Sequence, residues 1–364
     1  MQRIPLIVLL GLLAAGASAQ TDQYIVSRQG SISLTPVYQS WSAKDAGTSF
    51  SQSSMMLSAY VPFGRSLSFS FRTGGAGSAG DVPDLSGLTD VQAGLTYYWE
   101  AVNTVFTLGV NAPTGKRELS RDQFLTSVLF SNSLFNLQVP VLGQGINLNP
   151  GVAWVFPVSD RVVLGLAGAF QYRGPYKPRE GLDDYDPGEE FTGSAGIDFR
   201  MTETISVSAD FVLTAYTADK FAGEKVYASG NAYWTNLQYK QYFREDELLV
   251  FLGYRTKSKG QTAGAGGLVD EQERIEPGRL DVLMQYRQVF GTRFSLAYLL
   301  DGHVYEMTPA AYAGAKIAGA GLAPTLTLSS GLFVPARVKF QFGKLKGGET
   351  ITGIEAGLGI GYAF

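Results

Sequence analysis

The sequence holds one histidine, His303, and no cysteine. Hydrolysis through a serine would need that imidazole within reach of a hydroxyl and of a third group that orients the ring. His303 falls near the end of an alternating run, and no motif sets a nucleophile beside it. The absence of thiols excludes a cysteine nucleophile, a thiolate metal site and disulfides. Residues 75–80, GAGSAG, match a dinucleotide fingerprint, but DVPD follows where a helix must start to hold the pyrophosphate. That segment reads as a flexible loop. The acidic run 180–190, EGLDDYDPGEE, lacks calcium-loop spacing and reads as solvated surface. A formal charge of −3 is too small to imply a nucleic-acid partner. The expectation is a protein that is not an enzyme and carries no cofactor and no metal.

The remaining charged residues obey a different rule, because they alternate with oil. In 279–290, Leu280, Val282, Met284, Tyr286 and Phe290 alternate with Arg279, Asp281, Gln285 and Arg287. In 336–345, Val338, Phe340 and Phe342 oppose Arg337, Lys339 and Gln341. In 191–213 the charges Asp198, Arg200 and Asp210 keep to one face while Ile197, Phe199, Val207 and Phe211 keep to the other. The terminal stretch ITGIEAGLGIGYAF sets Ile354, Leu358, Ile360, Tyr362 and Phe364 against glycines and Glu355. Period-two alternation means strands with one apolar and one wettable face. Aromatics gather at strand ends (Tyr97–Trp99, Trp154–Phe156, Tyr242–Phe243, Tyr362–Phe364), as an interfacial girdle requires.

Short breaks at 62–65, 100–103, 157–160, 202–204, 244–246, 291–292 and 335–336 alternate with longer stretches at 42–52, 75–87, 113–143, 174–189, 216–225, 259–276, 306–323 and 346–350. Short turn, long loop, short turn is the rhythm of an outer-membrane barrel. The predicted fold is all-β: a transmembrane antiparallel up-and-down β-barrel of sixteen strands over 31–364, with no separate plug domain. If the first run, interrupted by Pro36, fails as a strand, or one more run is loop, a fourteen-stranded barrel is the alternative. Residues 1–19, with Arg3, an apolar run and a small-residue Ala-Ser-Ala site, read as a secretory signal peptide, and 20–30 as a short N-terminal segment. The expected location is the bacterial outer membrane, with lipid as one partner.

Two resemblances add to this reading. Ending on an aromatic after an alternating strand resembles the C-terminal signal of bacterial outer-membrane barrels, which implies the barrel-assembly machinery as a partner. The run VFTLGVNAPTGKREL at 105–119, with DVQAGLTY at 90–97 before it and NPGVAW at 149–154 after it, resembles the outer-membrane transporters of the phenol-degradation type, relatives of the long-chain fatty-acid transporter. That resemblance covers about residues 88–175, and it implies passive uptake of small hydrophobic or aromatic solutes. The strand count exceeds the fourteen of the fatty-acid transporters. A general water-filled porin and a non-transport scaffold or adhesion barrel remain the alternatives.

Two places are candidates for the function. Stretch 113–143 is apolar for a loop, and Phe124, Leu125, Val128 and Leu129 recur at helical spacing before Leu134 and Phe135. These six are the candidate solute contacts if the loop narrows or greases the mouth. Otherwise they pack to cap the barrel. The inner-face charges Arg72, Asp198, Arg200, Asp210, Arg279, Asp281, Arg287, Arg337, Lys339 and Glu355, with Asp90, Lys240, Arg255 and Asp301, either line a pore or pair to brace it.

Overall fold

A computed structural model describes residues 29–45, 47–309, 313–328 and 331–364. The proposed signal peptide, and the N-terminal segment up to residue 28, lie outside them. Sixteen antiparallel strands form one closed barrel. They are β1 (Ser31–Ala43), β2 (Thr48–Phe63), β3 (Leu67–Gly80), β4 (Val91–Trp99), β5 (Thr104–Ala112), β6 (Asn147–Pro157), β7 (Val162–Arg173) and β8 (Glu190–Arg200). There follow β9 (Ile205–Tyr216), β10 (Ala232–Phe243), β11 (Asp246–Lys257), β12 (Arg279–Phe290), β13 (Phe294–Tyr305), β14 (Lys316–Thr327), β15 (Leu332–Lys344) and β16 (Thr350–Leu358, continued as Ile360–Ala363). Each pairs with its sequence neighbours, and β16 closes on β1 through Ala43↔Ile351, Val37↔Gly357 and Ser31↔Ala363. Closure gives every wall strand two partners, so no edge is left unpaired.

The side-chain alternation decides what the wall faces. Val338, Phe340, Phe342, Leu300, Leu322 and Ile360 lie on the outer face and are exposed. Large apolar side chains recur in this position all around the barrel, a surface that water would not leave uncovered but that hydrocarbon solvates. At the short-turn end the outward aromatics come in touching pairs, Trp99 with Phe106, Phe290 with Phe294 and Tyr362 with Phe364. This is the amphipathic belt of a membrane interface. The fold is that of a transmembrane β-barrel.

Pro36 belongs to β1, outward-facing and opposite Met55, so the strand over which the count hung is present. Its missing N–H shows in the neighbouring strand. The β16 ladder breaks at Gly359, which lies between Thr35, the neighbour of Pro36, on one side and Pro335 on the other.

Several boundaries read from sequence are corrected. The turn placed at 335–336 is strand, because Pro335 pairs with Thr325 inside β15; the chain instead reverses between Leu328 and Leu332, which are hydrogen-bonded to each other, with Gly331 at φ 82°. Residues 75–80 are not a flexible loop but the end of β3, paired with 50–55 of β2. The stretch 316–323, read as loop, is the start of β14. Both segments put glycine and alanine where other strands carry contrasting side chains. Residues 48–52, also read as loop, begin β2. Finally, three connections form a sheet of their own beyond the barrel: Tyr185–Asp186, Ala218–Phe221, Glu224–Ala228, Gln261–Gly264 and Gly267–Asp270. The acidic run 180–190 contributes to this sheet, and Asp186 pairs with Lys220 at 3.3 Å.

Candidate functional site: the lumen and the loop folded into it

Residues 113–146, joining β5 to β6, are rooted on one carboxylate. Asp90 accepts from the backbone N–H of Gly115 and Gln144, each at 2.8 Å, and from the Asn111 amide at 3.0 Å. A carboxylate collecting three donors pins both ends of the loop to the β3–β4 connection. The close approach needs glycine: a Cβ on Gly115 would lie 2.2 Å from the Leu142 carbonyl.

Beyond that root the predicted helix is present as α1, Arg121–Phe130. Ser120 and Gln123 form a reciprocal capping box, which satisfies two N-terminal groups. Thr126 and Gln123 donate to the Pro83 and Asp84 carbonyls, so the helix lies against the connection between β3 and β4. Leu125 and Val128 face away from these contacts and are exposed.

After α1 the chain runs along the inside of the barrel wall. The Gln52 amide bonds both ways to Val139, donating to its carbonyl at 2.7 Å and accepting from its N–H at 3.1 Å. Gln39 accepts from Gln138 N–H at 2.6 Å and donates to the Asn136 carbonyl at 3.1 Å. The Trp41 indole donates to the Phe135 carbonyl, and Arg279 donates to the Ser133 carbonyl. Gln39, Trp41 and Gln52 are inner-face residues of β1 and β2, and Arg279 opens β12. Side-chain amides here pair with backbone as a neighbouring strand would.

The apolar side of the same segment is used for packing. Leu134, Leu137, Val139 and Leu142 are buried with Phe130 against Trp41, Phe50, Met56, Tyr305, Ile317 and Ile351. At about 1.5–3 kcal/mol for each fully buried large side chain, the loop's attachment is strongly favoured. Of the six candidate contacts, Leu134 is therefore buried in the loop's own seat, and Phe124, Leu129 and Phe135 pack at its margin. Leu125 and Val128 remain open.

The ten candidate inner-face charges all lie on the lumen side of the strand register, alternating with the lipid-facing set. They fall into unequal groups. One network crosses β12 to β16: Arg279 to Asp281 at 2.8 Å, Asp281 to His303 Nδ1 at 2.5 Å and His303 Nε2 to Asp301 at 3.4 Å. It continues from Asp301 to Lys339 at 3.5 Å, from Lys339 to Glu355 at 3.9 Å and from Glu355 to Arg337 at 2.9 Å. Gln39 donates to Glu355, which joins the network to the loop clamp. Nearer the short turns, Glu247 takes Lys240 and Arg287. Arg287 shares a strand face with Asp281, but the cross-strand register places it opposite Glu247. Likewise Asp198 accepts from Ser208 at 2.5 Å, a cross-strand neighbour, rather than from Arg200. Arg72 faces inward on β3 opposite Ser58.

Both nitrogens of His303 are engaged by carboxylates, so the imidazole is not aimed at a serine hydroxyl. The clamp residues Gln39, Trp41 and Gln52 are not among the residues singled out from sequence. Their only signal is that β1 and β2 carry amides and an indole on the face where other strands carry charges.

No protein-family model matches the chain, and no characterised protein matches it in sequence. Solved structures of similar shape include an anion-selective porin from Comamonas acidovorans (15% identity, 92% of this chain and 98% of the other, TM-score 0.44). Others are Pseudomonas aeruginosa OpdL (11%, 92% and 98%, 0.49) and the CymD monoaromatic hydrocarbon channel (10%, 92% and 88%, 0.47). The barrel assignment rests on the strand pairing of this chain itself.

Proposed function

We propose that this chain is a passive channel of a bacterial outer membrane, its bore narrowed by residues 132–142 and lined by a polar, charged wall. The observation that supports this reading best is the loop's position. Its backbone is bonded to inner-face side chains of β1, β2 and β12, so it occupies part of the cross-section. A solute that crosses must pass between this strap and the remaining wall, where Asp198, Asp210 and Arg255 stand. Such a passage suits small hydrophilic solutes, because most of the loop's oil is spent on packing.

The second reading, uptake of small hydrophobic or aromatic compounds, is favoured by Leu125 and Val128, exposed on α1 near the long-loop end. A greasy patch there would collect such solutes before they enter. Purified protein in planar bilayers, with liposome uptake of matched hydrophilic and hydrophobic solutes, discriminates. Ohmic conductance with faster hydrophilic uptake is the expected result. Faster hydrophobic uptake with near-zero conductance favours the second reading, and no flux of either kind overturns both.

A further inference from the structure

One row of directly paired inner-face residues has an unusual composition: Trp234 on β10, Arg255 on β11, Arg279 on β12 and Tyr305 on β13. Arg255 and Arg279 are opposite each other, a like-charge cross-strand pair that costs stability unless something offsets it. Arg279 is offset: it bonds Asp281 at 2.8 Å, the Tyr305 hydroxyl and the Ser133 carbonyl. Arg255 has no ion pair or hydrogen bond among the described residues. Its guanidinium lies 5.4 Å from the Trp234 ring centroid, and the Trp234 indole N–H is itself buried with no acceptor. Side by side, then, stand a guanidinium fork and an indole donor, both unanswered.

We propose that this row is a binding subsite for the carboxylate of a small organic acid in transit. The charge balance of the row sets the class. Asp281 answers Arg279, and the nearby Glu276 is paired with Lys257 at 3.0 Å, which leaves one net positive charge on Arg255 and matches a monoanion. A planar carboxylate accepts two parallel N–H donors from a guanidinium, a geometry that a spherical ion does not offer. Trp234 holds the guanidinium plane by its face, which orients the fork before the ligand arrives. The Ser133 contact of Arg279 puts the subsite beside the strap, on the route any solute must take. The proposal deepens the channel reading and depends on it for the way in.

The test uses the intact protein in detergent micelles, titrated calorimetrically with benzoate and, as the uncharged control, benzyl alcohol. Benzoate is expected to bind saturably and benzyl alcohol not at all. Arg255→Gln is expected to weaken benzoate binding about tenfold, the scale of one charge-assisted bidentate contact. Arg255→Lys, which keeps the charge and loses the fork, should recover only part of it. Equal benzoate binding by the wild type and Arg255→Gln, or none by the wild type, overturns the subsite. Bilayer conductance of the same preparations judges the channel reading separately: a silent wild type that still binds benzoate through Arg255 defeats the channel and leaves the subsite standing.

Discussion

Gln52→Met keeps the length of the side chain and removes both of its bonds to Val139. Each bond contributes about 0.5–1.5 kcal/mol net, and each buried backbone group left without a partner costs about 1–3 kcal/mol. Val139 is buried, so its N–H and carbonyl cannot turn to water while the strap stays seated. A loss of about 3 kcal/mol in attachment follows, which is about a hundredfold shift toward the released loop. Adding Leu137→Ala, at one of the most deeply buried side chains, removes a further 2–5 kcal/mol or so. The barrel itself should be spared, because its strand ladders do not run through either side chain. The assay is single-channel recording together with limited proteolysis of the 113–146 segment. The single variant should flicker to a larger conductance, and the double variant should stay there with the segment cleaved. Unchanged conductance and a protected loop in the double variant would refute the account of how the strap is held.

Other consequences are open to measurement. Val338→Arg, at the middle of β15 on the lipid side, should cost about 2–4 kcal/mol of barrel stability, read by denaturant titration in vesicles, with little effect if the wall faced water. Gly353→Leu would drive a side chain into the Trp41 ring, now 2.9 Å from an added Cβ. It should therefore loosen the Trp41 bond to Phe135 and raise conductance, whereas an unaltered channel would count against that contact. Glu306 lies outside the wall and is held below the ordinary carboxylate range by hydrogen bonds from the Tyr254 hydroxyl and then the Arg274 guanidinium. A depressed carboxylate contributes above its unfolded value, about 4.3, and loses that contribution as pH falls through the lower folded value. Hydrogen exchange in 271–278 should thus rise only below about pH 4, and Glu306→Gln should abolish the dependence.

The strands that were legible are those whose two faces differ in chemistry, as in the Val338–Phe342 run against Arg337–Gln341. Contrast fails where the outer face too carries glycine or alanine, as at Gly75, Gly77 and Ala79 and at Ala318 and Ala320, which is why 75–80 and 316–323 read as loop. Pro335 misled for a related reason: in a wall strand it removes one ladder bond without ending the strand. Of the five short strands beyond the barrel, 218–221 with 224–228 and 261–264 with 267–270 are local hairpins, but the sheet is assembled by pairings between connections (220–221 with 185–186, 227–228 with 261–262), and that register is not local. The site was half readable. Alternation assigned the inner-face charges, since a face is a property of one strand, but which charge pairs with which depends on register across two. Thus Arg287 finds Glu247 and Asp198 finds Ser208. The loop's helical spacing was visible, yet its oil could equally have met solute. Only the position of Gln39 and Gln52 shows where that oil is spent.

Polymer exclusion by single channels tests the narrowed bore most directly. Conductance in the presence of graded polyethylene glycols should reveal a narrow cutoff for the wild type, which widens when residues 132–141 are replaced by a short glycine-serine linker. The same cutoff with and without the strap would contradict a bore narrowed by that loop.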